Sequence, residues 1–217
     1  MRRGTFTDET VDYAAVGASQ AADLMHYPPE HSIPAEESWR IGSGEERFET
    51  AKEALLSWTA QKAAGLTLEK VRPAAGPSYA GVSFDAEGKP IVPAVREIEQ
   101  RFDADGTPFV GSGMTVTVRG RVRGYRADAE LRVISVTEEP RRVGFVMGTV
   151  GGSVVSGEES FDLEWREEDD GVWFTVRAFD RPTALLYRVL PVLTRRRRRE
   201  LFDRYLRAIS PLYVTPV

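Results

Sequence analysis

Cysteine and asparagine are absent from the 217 residues, and histidine and lysine are scarce, at two and four residues. The missing thiols exclude disulfides, thiolate metal sites and cysteine nucleophiles together. His26 and His31, separated by Pro28 and Pro29, would need carboxylates to complete a zinc site, so no metal and no cofactor is expected. Few lysines beside 25 arginines read as the codon usage of a GC-rich genome rather than as selection for guanidinium chemistry. No run approaches the ~20 apolar residues of a membrane span, and Met1-Arg2-Arg3-Gly4-Thr5-Phe6-Thr7-Asp8 has no apolar segment behind its basic pair. A cytoplasmic location without integral membrane association is expected. There is no Gly-x-Ser-x-Gly nucleophile turn. The glycine-rich Gly148-Thr149-Val150-Gly151-Gly152-Ser153 fits neither a dinucleotide fingerprint nor a phosphate loop, and it reads as a flexible turn.

What is present is the composition of an ordinary folded domain, 41% hydrophobic and 29% charged. The length suits one domain over residues 1–217 with a loop-rich insertion at about 74–110, where glycine and proline recur between Pro73 and Pro108. The net charge of -4 is uneven: 11 Lys and Arg against 18 Asp and Glu up to residue 110, then 18 against 15. The basic excess is largely Arg195 to Arg199, one cluster on an acidic chain, which is not the footprint of a nucleic-acid binder.

Ser43-Gly44-Glu45-Glu46 fits a capping box, followed by a helix whose apolar stripe is Phe48, Ala51, Leu55 and Trp58 and whose stop is Gly65. The proline-rich stretch Tyr27 to Pro34 reads as an ordered loop. A short strand is expected near Tyr79 to Phe84 and a short helix from Ala94 to Phe102. From Met114 the pattern changes to alternation: Met114, Val116, Val118 and Val122 face one way and Thr115, Thr117, Arg119 and Arg121 the other, with Gly120 as a possible bulge. Further strands are expected at 129–137, 142–150, 157–166 and 171–179, joined by short turns and so antiparallel neighbours. Thr183 to Ile209 has helical period, bent at Pro191. A sheet with one apolar face must bury it. The two helices are the cover, and the class is α+β.

Several stretches resemble the uncharacterised bacterial and plant family called domain of unknown function 1990. They are Ile41-Gly42-Ser43-Gly44 with Phe48, Ala51, Leu55 and Trp58; Gly144-Phe145 with Gly148-Thr149; Gly157-Glu158-Glu159-Ser160-Phe161; Arg177-Ala178-Phe179-Asp180-Arg181-Pro182; and Tyr205-Leu206. The resemblance implies a helix-grip fold of the START and Bet v 1 type: a curved antiparallel sheet around a long C-terminal helix, with an apolar cavity between them. It implies no established activity. Met147 stands where the family usually has tyrosine and Ser153 where it usually has histidine, so any chemistry needing those two side chains is in doubt.

Two charged residues stand out. In the strand from Glu158 to Arg166 the even positions are polar while Phe161, Leu163 and Trp165 fill the odd ones. Glu159 therefore points inward if the strand is regular, or outward if a bulge or fraying intervenes. At about 100° per residue, five consecutive arginines cannot all avoid the helix's apolar stripe. Extending that stripe from Leu190 and Leu193 to Leu201 and Tyr205 selects Arg197 as partner for an inward carboxylate, unless its stem lies on apolar surface and its head reaches water. The other four arginines read as a solvated face.

The expected function is binding of a small apolar or amphipathic molecule between sheet and C-terminal helix. Phe145, Met147, Phe161, Leu163, Trp165, Phe174 and Leu186 would form the walls, with Glu159, Arg197 and either Thr149 or Arg177 as orienting groups. Alternatives are an enzyme of the same fold using Glu159 as acid or base, and an interaction module docking its arginine cluster on an acidic partner or anionic membrane.

Overall fold

The computed structural model describes residues 11–73, 83–84, 90–91, 101–122, 125–151, 153–185 and 189–210. Among these the elements run β1 (Ile33–Ser43), α1 (Glu45–Leu56), α2 (Thr59–Ala63), β2 (Leu66–Arg72), β3 (Ser83–Phe84), β4 (Pro90–Ile91), β5 (Thr115–Val122), β6 (Tyr125–Arg126), β7 (Ala129–Glu139), β8 (Arg142–Gly151), β9 (Val155–Trp165), β10 (Gly171–Pro182) and α3 (Pro191–Ile209). The main sheet has the order β1-β10-β9-β8-β7-β5-β2 with β6 paired to β5, and every pairing is antiparallel. α1 and α2 carry the chain from one edge strand, β1, to the other, β2. α3 lies across the concave face, packing on α2, β10, β1 and β5. This is the α+β helix-grip arrangement.

Alternation builds the core. Phe145 and Phe161 are register partners on β8 and β9 and stack at 4.8 Å; Phe161 also meets Phe174 of β10 at 6.5 Å and the edge of Tyr205 on α3 at 5.2 Å. Trp58 closes the column against Phe145 at 5.9 Å while its indole N–H donates to the Pro108 carbonyl at 3.0 Å. All five rings are buried. Full burial of a large side chain contributes about 1.5–3 kcal/mol, and each such ring pair about 0.5–1.5 more.

Several local expectations are corrected. Ser43 does not cap α1: it ends β1 opposite Gly171, and the helix opens at Gly44, whose φ of 84° makes the turn while its N–H donates to the Asp170 carbonyl at 3.0 Å. Ile33 and Pro34 belong to β1 rather than to a loop. Gly120 is no bulge, pairing in register with Leu66; the irregularity on that edge lies in β2, between Glu69 and Arg72. Gly148 to Gly151 continue β8 instead of forming a turn. Pro191 is the first residue of α3 rather than a bend, because its missing N–H is no loss there and Leu190 before it is non-helical. Of the region around 74–110, Ser83–Phe84 is a strand as expected, while Phe102 forms an isolated bridge to Pro108 rather than ending a helix. Residues 94–100 lie outside those described.

The convex face carries an unexpected layer. Residues 12–24 cross β8 and β9, and Glu158, which alternation assigns to solvent, is 1% exposed beneath them. Its carboxylate accepts from the Tyr13 hydroxyl at 2.8 Å, the Gly17 N–H at 2.8 Å, and the Ser19 N–H and hydroxyl at 2.9 and 2.5 Å. Burial, and then the Glu158 charge, hold the Tyr13 phenol well above the ordinary tyrosine range. Two motif glycines are explained by contact: a Cβ on Gly148 would sit 1.9 Å from the Tyr13 hydroxyl, and one on Gly157 would sit 1.9 Å from the Phe179 carbonyl oxygen.

Candidate functional site

The concave face has two unlike ends. Where Phe145, Phe161, Leu163 and Phe174 lie, side chains are in contact and fully buried, so these four residues are core and none of them lines the cavity. Aromatic rings directly opposite one another on neighbouring strands stack and leave no room there for a guest. Trp165 sits at the far end of β9, packed on Phe48, under the Arg141 guanidinium, with its indole N–H donating to Asp170 at 2.7 Å. Arg177 is on the convex face, paired with Glu36 at 2.7 Å. Leu186 lies outside the described residues.

A cavity of about 40 Å³ opens at the other end, between β5, β7, β8, β9 and α3. Its apolar wall includes Leu66, Val118, Ala129, Leu131, Met147 and Val155, and its polar wall holds Thr149, Glu159, Asp180, Arg197, Arg198 and Tyr205. Four of the expected site residues, Met147, Thr149, Glu159 and Arg197, thus come together here. Of these, Thr149 is already engaged. Its hydroxyl donates to Asp12 at 2.5 Å and accepts from the Gly157 N–H at 3.0 Å, tying down the convex-face segment.

Glu159 points inward, but its partner is Arg198, not Arg197. Arg198 is 5% exposed, and its guanidinium forms ion pairs with Glu159 and Asp180, donating to the latter through Nε at 2.7 Å. The Tyr205 hydroxyl reaches Glu159 at 3.5 Å. Burial by itself lowers the basicity of Arg198, and the two carboxylates outweigh it, so the guanidinium is held above its usual range. Tyr205 is raised above the ordinary tyrosine value, first by burial and next by Glu159.

The single-stripe argument selected one arginine because it assumed a face about 100° wide. α3 buries Thr194, Arg197, Arg198, Leu201, Phe202, Tyr205 and Ile209, two adjacent columns rather than one. One column, with Arg198 and Phe202, leans toward the β10 and β1 side, and the other, with Arg197 and Leu201, faces the cavity. Arg198 is thus not part of a solvated face.

Arg197 is 5% exposed, and its buried Nε has no hydrogen-bond partner. A buried donor left without an acceptor costs about 1–3 kcal/mol, more for a charged group. Among the described residues the cavity wall therefore offers two carboxylates already paired with Arg198 and one guanidinium whose Nε has no partner.

A family model, described as a domain of unknown function (DUF1990), matches residues 12–95 and 94–208. A UPF0548 protein of Deinococcus radiodurans is 46% identical over 50 residues, 23% of this chain and 25% of that protein, so the matched stretch spans about a quarter of the relative. Among solved structures, a START superfamily protein from Mycobacterium smegmatis aligns over 85% of this chain and 97% of its own with a TM-score of 0.45 and 11% identity. Ginseng major latex-like protein 151 from Panax ginseng aligns over 84% and 98% with a TM-score of 0.48 and 10% identity. Among the described residues no helix is long and apolar enough to cross a membrane, which says nothing of a β-barrel.

Proposed function

The chain belongs to the family described as a domain of unknown function (DUF1990), a membership that supplies no activity, and we propose from the site's own geometry that it binds a small amphipathic molecule. The observation that carries this reading is the buried, unpartnered Nε of Arg197 on the wall of an otherwise largely apolar cavity. The ligand's acceptor group meets Arg197, and its apolar part lies against Val118, Leu131 and Met147. Glu159 acts through Arg198 and Tyr205 as a fixed anchor of that wall. At about 40 Å³ the cavity has room for a few waters, far below the ~300 Å³ of a drug-sized site. The fitting ligand is correspondingly small, and a larger one requires α3 to lift from the sheet. A cytoplasmic location belongs to the same proposal.

Arg197→Leu tests this. It removes the ligand's anchor without breaking any side-chain hydrogen bond that Arg197 makes in the structure, so stability should change by no more than about 1 kcal/mol while binding is lost. The measurement is native mass spectrometry of wild-type and variant protein, joined to the NMR signal of the Met147 methyl during titration with butyrate and butanol. A wild-type protein that carries no adduct and whose Met147 signal responds to neither compound would sink the reading.

A second reading, docking on an anionic bilayer, is favoured by one observation. Leu185, Val189, Leu190 and Val192 are 74, 67, 44 and 49% exposed just before the exposed Arg195, Arg196 and Arg199. Apolar side chains followed by cations match the interfacial mode of membrane association. Replacing Leu190 and Val192 by serine should then cut co-sedimentation with phosphatidylserine vesicles several-fold, and binding should weaken as salt rises. Absence of vesicle binding by the wild-type protein at low salt would exclude it.

A further inference from the structure

A second cleft lies outside the grip, between the edge strand β1 and the flank of α3, with a volume of about 220 Å³. It is several times larger than the interior cavity and shares with it only Asp180 and Arg198, the ion pair that forms the partition between them. Met25, Ile33 and Phe202 contribute apolar surface, and Thr194, Arg195 and Arg199 line the helix side.

The polar groups here are unequal. Asp180 accepts a hydrogen bond from Arg198 and is ion-paired with it, and Glu36 is ion-paired with Arg177. Thr194 is 1% exposed, yet its hydroxyl has no hydrogen-bond partner. A threonine in a helix ordinarily satisfies its hydroxyl on the carbonyl one turn back. The exposed Arg195 and Arg199 form no ion pair with any described residue; of the two exposed carboxylates beside them, Glu36 is held by Arg177 and Glu37 stands opposite the two cations.

We propose that this cleft is a second binding site, separate from the interior cavity, for an amphipathic carboxylate of medium chain length. The carboxylate accepts from the Thr194 hydroxyl and from the guanidinium groups of Arg195 and Arg199, which are suited to two-pronged contact with an oxyanion. The hydrocarbon chain lies on Met25, Ile33 and Phe202. A buried hydroxyl, two cations without an ion pair among the described residues and an apolar floor in one cleft are the few convergent polar groups on apolar walls that mark a ligand site.

The two sites can be read separately because each contains one methionine, Met25 here and Met147 in the interior. The full chain, labelled at its methionine methyls, is titrated with octanoate and, in parallel, with octanol. The expected result is a saturable shift of the Met25 signal, at least tenfold weaker with octanol, abolished in Arg195→Glu/Arg199→Glu and weakened in Thr194→Val. If the charge reversals lower the melting temperature, Arg195→Gln/Arg199→Gln serves instead. A Met25 signal that does not move, that moves equally with octanol, or that still moves in the arginine variants overturns the proposal. A response confined to Met147 overturns it too, while leaving the interior reading standing.

Discussion

Arg198→Leu is expected to destabilise the protein by about 3–5 kcal/mol, a large share of the roughly 5–15 kcal/mol that holds a typical domain folded. The loss arises from what is left behind. Asp180, 3% exposed, and Glu159 both direct carboxylates at the Arg198 guanidinium, and without it two like charges face one another in the interior. Arg195→Leu, on the exposed side of the same helix, should stay within about 0.5 kcal/mol. Urea denaturation of the two variants checks the contrast. A double variant, Arg198→Leu with Asp180→Leu, should recover part of the loss, because removing both members of a buried pair leaves fewer uncompensated charges than removing one. If Arg198→Leu unfolds like the parent, the three-residue cluster is not formed in solution.

Glu158→Ala should cost at least about 3 kcal/mol and free the segment it anchors. Four donors from Tyr13, Gly17 and Ser19 converge on this carboxylate, and an unsatisfied buried donor costs about 1–3 kcal/mol. Their combined loss exceeds what residues 12–24 can recover from packing alone, so the segment should detach while the sheet persists. Hydrogen exchange gives the readout: amides of Gly17 and Ser19 lose protection, and those of β9 and β10 keep most of theirs. Tyr13→Phe, which removes one of the four bonds, should cost only about 1 kcal/mol. Unchanged protection in Glu158→Ala would show that the segment is held by its apolar contacts, such as Tyr13 on Phe179 at 5.6 Å, and not by the carboxylate.

The sequence determined the central sheet by itself. β5, β7 and most of β10 bury one face, and a period of two written in valine, phenylalanine and leucine is readable wherever that holds, whereas β8 and the start of β9 are buried on both faces beneath residues 12–24. It also offered Glu159 as an inward carboxylate unless a bulge or fraying intervened, and showed that five consecutive helical arginines cannot all avoid the apolar stripe, while leaving open whether the one that meets it turns its head to water. β1 stayed hidden because it is an edge strand, with Glu36 to Arg40 exposed on both faces, so no alternation marks it. Three matters were decided only by tertiary structure. Alternation says which side of the sheet Glu158 occupies but not that a segment some 140 residues earlier covers that side. The period of α3 selected Arg197 alone; that Arg198 is also inward, and is the one that meets Glu159, depends on how the helix rolls against β10. The place of the cavity followed the same logic. Aromatic residues on neighbouring strands stack into solid core, and room is left at the end of the grip where valine, alanine and threonine stand opposite the arginines.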